Sequence, residues 1–192
     1  MMRPSPVTIA LIVICVIAYI PEILGIRFGG FDINYWLCVD PTSFSRPWEL
    51  VTAIFAHGSL EHLAMNMISL YWLGTLIEDI HGKAKFLLIF FVSGIVGNVA
   101  VVLFADAAAL GASGAIFGLL GAAALLLFSL RENPQAKSML MGLLVMLAIN
   151  VANSFLPGIS MEAHFGGLIA GVAVEGLILL AGRGKARRMM RR

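Results

Sequence analysis

Long apolar runs separated by short polar connections dominate the chain. A helix needs about 20 mostly apolar residues to cross the hydrocarbon core of a bilayer, and inside lipid the backbone must satisfy its own hydrogen bonds, which favours helices. Six runs meet or approach this length, at residues 6–24, 60–80, 86–105, 113–130, 138–156 and 163–181. The pattern therefore predicts an all-α integral membrane protein, a single domain of residues 1–192 with six transmembrane helices.

Composition agrees with this class and excludes a soluble globular domain. The 192 residues are 60% hydrophobic and only 12% charged, with a mean hydropathy of +0.95. The first apolar run follows Arg3 and could pass for a signal peptide, but Pro21 and Glu22 follow Ile20 where a small-residue cleavage site would stand. We expect this run to be retained as a span.

Lysine and arginine are distributed unevenly between the predicted loops. One side of the membrane carries only Arg27 and Arg46, and basic residues stay preferentially on the cytoplasmic side. This predicts a multi-pass protein of the cell (inner or plasma) membrane with both termini in the cytoplasm. The basic tail, residues 182–192, favours anionic lipid over nucleic acid as its partner. The richer side holds Arg3, Lys83, Lys85, Arg131, Lys137 and six residues of the tail.

The connection between the first two spans, residues 25–59, is much longer than the others. Its aromatic residues suit the membrane interface, so we expect a partly helical segment lying against the outer leaflet, whether as a plain anchor or with a role in catalysis. Cys15 lies in a span and Cys38 in this loop, so no disulfide is expected. No metal-ligand cluster or cofactor motif is present in the sequence, and no cofactor is predicted. The aromatic residues are Tyr35, Trp36, Phe44, Trp48 and Phe55.

Ser113, in Gly111-Ala112-Ser113-Gly114, and His164 are the candidate reactive residues. Each begins an apolar helix, and polar residues inside spans are functional candidates. The second, fourth and sixth spans all enter from the outer side, which places both residues, together with His62 and Asn66 of the second span, near the outer leaflet. A serine hydroxyl becomes a good nucleophile when an adjacent imidazole takes its proton. The pattern predicts peptide hydrolysis within the membrane.

Spacing within the helices supports this arrangement. His62 and Asn66 are four residues apart and project from one helix face. Small residues let helix backbones approach closely, so we expect the fourth and sixth spans to be in contact. Glycines follow each reactive residue along its helix: Gly114, Gly118 and Gly121 after Ser113, and Gly167 and Gly171 after His164.

An acyl-transfer site also needs donors for an oxyanion. The free N–H groups at the helix N-terminus of Ser113 are suitable, and His62 and Asn66 could add side-chain donors. Glu175 shares a face with His164 but lies about 16 Å further along the helix, too far to orient the imidazole. We therefore predict a Ser-His dyad with no acidic third member.

These motifs resemble those of the rhomboid intramembrane serine proteases over essentially the whole chain. Gly111–Gly114 is similar to the family's Gly-x-Ser-Gly, His62 and Asn66 to its His-x-x-x-Asn, and His164, Gly167 and Gly171 to its His-x-x-Gly-x-x-x-Gly. The resemblance implies a six-helix bundle in which Ser113 attacks and His164 acts as base and then acid. It also implies that the oxyanion is held by His62, Asn66 and the backbone around Gly111, Ala112 and Ser113, and that Glu78 makes a structural contact near the inner end.

Two positions depart from the family pattern. Trp48-Glu49 stands where the family has a Trp-Arg pair in the long loop, and Phe117 stands where many members have a tyrosine against the histidine. A phenyl ring keeps the capacity to stack but has no hydroxyl. Neither departure removes the proposed dyad.

The predicted function is cleavage of transmembrane segments of other membrane proteins near the outer leaflet. Two alternatives remain open at this stage: a non-catalytic rhomboid-like binder of membrane-protein clients, and a small proton-coupled transporter using His62 and His164, for which no inverted repeat is found.

Several other polar residues carry weaker expectations. Asn150 and Asn153 fit either a substrate gate or interhelical hydrogen bonding. We expect His57 to cap the loop near the site and His81 to be merely interfacial. Helix packing is expected of Ser93, Gly94, Gly97 and Asn98.

Overall fold

The computed structural model describes the backbone of residues 5–189 and the side chains of residues 5–182. Arg3, residues 190–192 and the side chains of the basic tail, which entered the charge count above, lie outside the described residues. The described part is mainly helical. Its helices are α1 (Pro6–Ile23), α2 (Ile33–Leu37), α3 (Glu49–Thr52), α4 (Leu60–His81), α5 (Lys83–Phe104), α6 (Ser113–Ser129), α7 (Pro134–Asn153) and α8 (Met161–Met189).

Four of these helices are long and apolar enough to cross a membrane: α1, α5, α7 and the Met161–Gly182 part of α8. The apolar helix α6 is shorter, with 17 residues. α4 has the length, with 22 residues, but carries more polar side chains, including Glu61 and Glu78. The prediction of an all-α membrane protein is thus confirmed, and the count of six spans stays a prediction.

Two helix boundaries differ from those that the hydropathy pattern predicted, and a capping residue explains the first. The Asn133 side chain accepts hydrogen bonds from the N–H groups of Gln135 and Ala136, and Pro134 occupies the first helical position, so α7 begins at 134 rather than 138. Its first turn is polar, which a hydropathy window does not register. α8 continues to Met189, beyond the predicted end at 181.

The centre of the bundle is α6, which packs against α4, α5, α7 and α8. Its contact with α8 is made backbone to backbone. A Cβ on Gly167 would overlap the carbonyl of Gly114, and a Cβ on Gly171 would overlap that of Gly118. Only glycine permits this approach, so the predicted close packing of these two helices is confirmed.

Helix α7 lies at the edge of the bundle. Only 11% of its apolar window is buried, and a Cβ on Gly142 would meet nothing within 4 Å. The Asn150 side chain donates to the Met146 carbonyl of its own helix at 2.8 Å, so it forms an intrahelical bond rather than the interhelical one considered above. α7 is therefore the least constrained of the long helices.

The loop between α1 and α4 is anchored to the bundle rather than lying free. It contains a small antiparallel hairpin, β1 (Arg27–Phe28) with β2 (Phe31–Asp32), which the sequence did not predict, besides α2, α3 and a 3₁₀ turn at Ser43–Ser45. Asn98 of α5 donates to the carbonyl of Leu50 at 2.9 Å, and Val39 pairs with Ala109 in an isolated β-bridge.

Glu49, the departure from the family pattern, is 1% exposed inside this loop. Arg46 Nε lies 3.1 Å from its Oε1, and the Ser43 hydroxyl donates to its other oxygen. A second bond from Arg46 reaches Asp40 at 2.9 Å. The buried Glu49 carboxylate therefore has local partners, as a buried charge requires. The guanidinium of Arg46 provides the opposite charge.

Polar contacts also join helices at the end of the bundle where α4 ends at His81, which we call the far end. Glu78 accepts from the backbone N–H groups of Val7 and Thr8, at 3.1 and 2.8 Å, and from the Thr8 hydroxyl at 2.8 Å. Its structural role is confirmed. His81, expected to be interfacial, is instead buried against Glu175 of α8, with Nε2 3.0 and 2.8 Å from the two carboxylate oxygens. Helical rise brings Glu175 to the same depth as His81.

Candidate active site

The opposite end of the bundle, where α4, α6 and α8 begin, is the site end. It gathers the polar residues singled out from the sequence. Gly111 leads into α6 with a φ of +122°, a backbone conformation that favours glycine. A Cβ at this position would lie 2.7 Å from His62 Cε1 and 2.8 Å from its Nε2. Glycine at 111 therefore lets the chain pass directly beneath the imidazole.

The N–H of Gly111 is already used, because it donates to the carbonyl of Ala53 at 2.8 Å. Gly111 was expected to help stabilise an oxyanion or the substrate; its N–H is not free for that role, and the expectation for this residue stays a prediction. The next N–H groups, at Ala112 and Ser113, stand at the start of α6, where helical N–H groups have no intrahelical acceptor. No side chain caps this helix. These two groups remain suited to hold an anionic oxygen.

His164 lies in the first turn of α8 with its ring flat against Phe117 of α6. The two rings stack with centroids 4.0 Å apart and an interplanar angle of 15°. The stacking that a phenyl ring at this position allows is therefore present. Ser113 precedes Phe117 by four residues and so shares its helix face. The Cβ position of Gly114 is 3.1 Å from the carbonyl oxygen of Ala163, the residue before the histidine.

Ser113 and His164 thus begin two helices that touch at neighbouring residues. His164 is 7% exposed and Ser113 is half-buried. Among the hydrogen bonds of the described residues, none joins the Ser113 hydroxyl to the imidazole. Catalytic hydrogen bonds are often long in free enzymes and tighten when substrate binds.

Asn66 and His62 lie on the α4 side of the same site. Asn66 is 6% exposed and its Nδ2 has no hydrogen-bond partner within the described structure. This nitrogen is 3.5 Å from the Cβ position of Gly111, so it faces the entrance to α6. A buried amide donor without an acceptor is unusual, and it is what a site built for an anionic oxygen would contain.

His57 stands behind His62, with ring centroids 5.1 Å apart in an edge-to-face arrangement. Its Nδ1 is 3.2 Å from the carbonyl of Phe55 and must be the donor, because a carbonyl can only accept. Burial, together with the nearby His62, lowers the pKa of His57 from its ordinary value of 6.5 to about 4. His57 is therefore neutral at physiological pH and supports the His62 ring as packing.

Ser154, just beyond the end of α7, also belongs to the candidate site, although no motif in the sequence pointed to it. Its hydroxyl oxygen is 2.7 Å from His164 Nδ1 and 2.9 Å from the Asn150 carbonyl, and the residue is 1% exposed. Serines at helix ends are common, so only its position ten residues before His164 could have been a signal. The hydrogen bond shows that the imidazole has a partner after all.

The remaining predicted supporting residues are structural. Gly118 and Gly171, like Gly114 and Gly167, make close backbone contacts between α6 and α8. Within residues 5–182, no group of three or more histidine, cysteine or acidic side chains could hold a metal ion. The two cysteines in this stretch, Cys15 and Cys38, are both free.

Comparison with known proteins decides the family. The model of the Rhomboid domain matches residues 45–181, which include α4 to α7 and most of α8. The chain belongs to the rhomboid family. With its apolar helices, this makes it a multi-pass membrane protein.

Individual rhomboid relatives are similar over about two thirds of the chain. It is 39% identical over 127 residues to the rhomboid protease GluP of Bacillus subtilis (strain 168), covering 65% of this chain and 24% of that protein. RHOMBOID-like protein 5 of Arabidopsis thaliana is 35% identical over 139 residues, 69% of this chain and 44% of that protein. The putative rhomboid protease YdcA of B. subtilis is 36% identical over 127 residues, which cover 65% of this chain and 63% of that protein. This rhomboid chain thus spans less than half the length of the first two relatives.

Proposed function

We propose that this protein is an intramembrane serine endopeptidase that cleaves transmembrane segments of other membrane proteins. The observation that carries the proposal is the packing of His164 on Phe117, one helical turn from Ser113. Two relatives that carry the name rhomboid protease add support. A hydroxyl nucleophile and an imidazole base at the ends of two helices in contact are the two groups that nucleophilic acyl transfer requires.

In the proposed reaction, the Ser113 oxygen attacks the scissile carbonyl while His164 Nε2 takes the hydroxyl proton. The resulting oxyanion accepts hydrogen bonds from the Asn66 amide, the His62 ring and the N–H groups of Ala112 and Ser113. His164 then gives its proton to the leaving amine, which departs and leaves an acyl-enzyme. A water molecule, activated by the same imidazole, hydrolyses the ester and restores the serine.

The proposed setting is a six-span domain with both termini in the cytoplasm and the site end towards the external side. The uneven distribution of lysine and arginine supports this orientation. A substrate segment must reach Ser113 from the lipid, and α7 is the helix with the least burial against the bundle. We infer lateral entry past α7. Segments that unwind readily through Gly, Pro or small polar residues are the expected substrates, because an unwound helix exposes backbone groups that lipid cannot satisfy.

Cleavage of a model transmembrane substrate in liposomes tests this proposal. We expect the wild type to cut within the segment and both Ser113→Ala and His164→Ala to lower kcat by more than about 10³-fold. Ser129→Ala is the matched control, since its hydroxyl bonds to the Leu126 carbonyl at 2.7 Å at the far end, and it should cleave like the wild type. Equal cleavage by wild type and Ser113→Ala would refute the proposal.

The same liposomes separate the alternatives. A client-binding protein would retain the substrate without cutting it, and Ser113→Ala would leave retention unchanged. A transporter would move protons across the bilayer with a rate that is insensitive to Ser113→Ala. Either result without cleavage would replace the protease assignment.

A further inference from the structure

Ser154 contacts the His164 imidazole at Nδ1, the ring nitrogen for which a Ser-His dyad provides no partner. Its oxygen is 2.7 Å from His164 Nδ1, and both side chains are more than nine-tenths buried. On one face, the His164 ring is held by Phe117. Stacking fixes the plane of the ring but not which of its nitrogens carries the proton. The contact at Nδ1 can determine that.

Counting protons assigns the direction of this hydrogen bond. The Ser154 hydroxyl has one proton and two acceptor sites. It also lies 2.9 Å from the carbonyl oxygen of Asn150, which can only accept. If the hydroxyl donates to Asn150, its oxygen accepts from Nδ1–H of His164 and both contacts are hydrogen bonds. If it donates to Nδ1 instead, the two oxygens of Ser154 and Asn150 face each other without a proton. The first arrangement satisfies more polar atoms in a buried place.

We propose that Ser154 is a positioning residue that holds the proton of neutral His164 on Nδ1 and so presents the bare Nε2 to Ser113. In a neutral imidazole, one nitrogen carries the proton and the other carries the lone pair. A general base needs its lone pair directed at the nucleophile, and the hydrogen bond made by the other nitrogen sets this tautomer. The Ser154 hydroxyl thereby takes the place that a carboxylate has in a triad.

Ser154 also links the His164 imidazole to α7, the helix at the edge of the bundle. Asn150 belongs to the last turn of α7, and the Ser154 N–H donates back to its carbonyl at 3.0 Å. The orientation of His164 therefore depends on the end of α7 staying folded. This inference rests on the proposed function, since it assigns a role within the same site.

The first test reads the tautomer itself and needs no activity. Proton–nitrogen correlation spectra of isotope-labelled histidine in detergent-solubilised protein distinguish Nδ1–H from Nε2–H, and His164→Gln identifies which of the four histidines is His164. We expect Nδ1–H at His164 in the wild type and in Ser154→Thr, and loss of this preference in Ser154→Ala. Nε2–H in the wild type, or an unchanged tautomer in Ser154→Ala, would overturn the proposal.

The second test measures turnover of the same variants. Ser154→Ala should lower kcat by about tenfold to a hundredfold, with KM unchanged within about twofold, and Ser154→Thr should recover most of the loss. Ser129→Ala should match the wild type. A loss that threonine does not restore, or one confined to KM, would contradict a positioning role. If the wild type shows no cleavage at all, the proposed function fails, and the wild-type tautomer still decides the assignment of Ser154.

Discussion

At the far end of the bundle, the buried carboxylates have partners: Glu78 accepts three hydrogen bonds from Val7 and Thr8, and Glu175 lies against His81, although the buried Thr75 hydroxyl nearby makes no hydrogen bond. At the site end, Asn66 Nδ2 and His57 Nε2 are buried without a partner. Unmatched buried groups cost stability, whereas matched groups between helices stabilise the bundle. The difference teaches that the far-end carboxylates hold α1, α4 and α8 together, and it supports the proposal that the site end receives another molecule.

The interface shared by both ends gives the largest expected effect. Gly167→Ala would place a methyl group on the carbonyl of Gly114, so the two backbones must separate. We expect a loss of more than about 3 kcal/mol of stability and of all activity. Unfolding by SDS in mixed micelles measures the loss of stability. Gly142→Ala on α7 is the control, because its methyl group meets nothing within 4 Å, and equal stability of the two variants would refute the packing.

At the far end, removing one partner of the buried pair should destabilise without impairing chemistry. His81→Leu leaves the Glu175 carboxylate buried and unpaired, and we expect a loss of about 3 to 5 kcal/mol in the same unfolding assay. The double variant His81→Leu/Glu175→Leu should recover most of it, since the charge is gone. Turnover per folded molecule should stay at the wild-type value, and a selective fall in kcat would break the division between the two ends.

At the site end, Asn66→Ala should have the opposite signature. The amide nitrogen has no partner to lose in the free protein, so stability should fall by no more than about 1 kcal/mol, the value typical of a point mutation. If it holds the oxyanion, kcat should fall by about 10² to 10³-fold. Cleavage and unfolding measured on one preparation distinguish the two effects. A destabilised variant with normal kcat would make Asn66 a packing residue.

His57 makes a pH-dependent contribution that is specific to the site end. Its pKa is about 4 in the folded protein and 6.5 ordinarily, so on acidification the unfolded chain takes up a proton before the folded one does. Its stabilising contribution is present above pH 6.5 and is lost as the pH falls towards 4, about 3 kcal/mol in all. The difference between wild type and His57→Asn across this range isolates the contribution, and parallel curves would contradict it.

Much of the architecture could be predicted from the sequence because it depends on local patterns. Apolar runs gave the long helices, and Gly114, Gly118, Gly167 and Gly171 predicted the α6–α8 contact. Partnerships between distant segments were not accessible in this way. Two such partnerships depend on how the helices are arranged in space: His81 with Glu175, and Ser154 with His164. A serine or histidine at a helix end has no sequence pattern that predicts its partner.

The candidate site shows the same division. Ser113, His164, His62 and Asn66 were identified from spacing and resemblance, and the contacts of α6 with α4 and α8 bring their helices together. The occupied N–H of Gly111 was missed because its acceptor, Ala53, belongs to the long loop. That loop, for which contact with the membrane stays a prediction, also contributes a backbone contact that shapes the entrance to α6.

The most direct test of the central claim, that Ser113 is made nucleophilic by His164, is labelling with a fluorophosphonate followed by peptide mass mapping. The account predicts one adduct, on Ser113, in the wild type, and a labelling rate in His164→Ala that falls by about 10²-fold or more. An adduct on another residue, or labelling of Ser113 at the same rate without the imidazole, would contradict it.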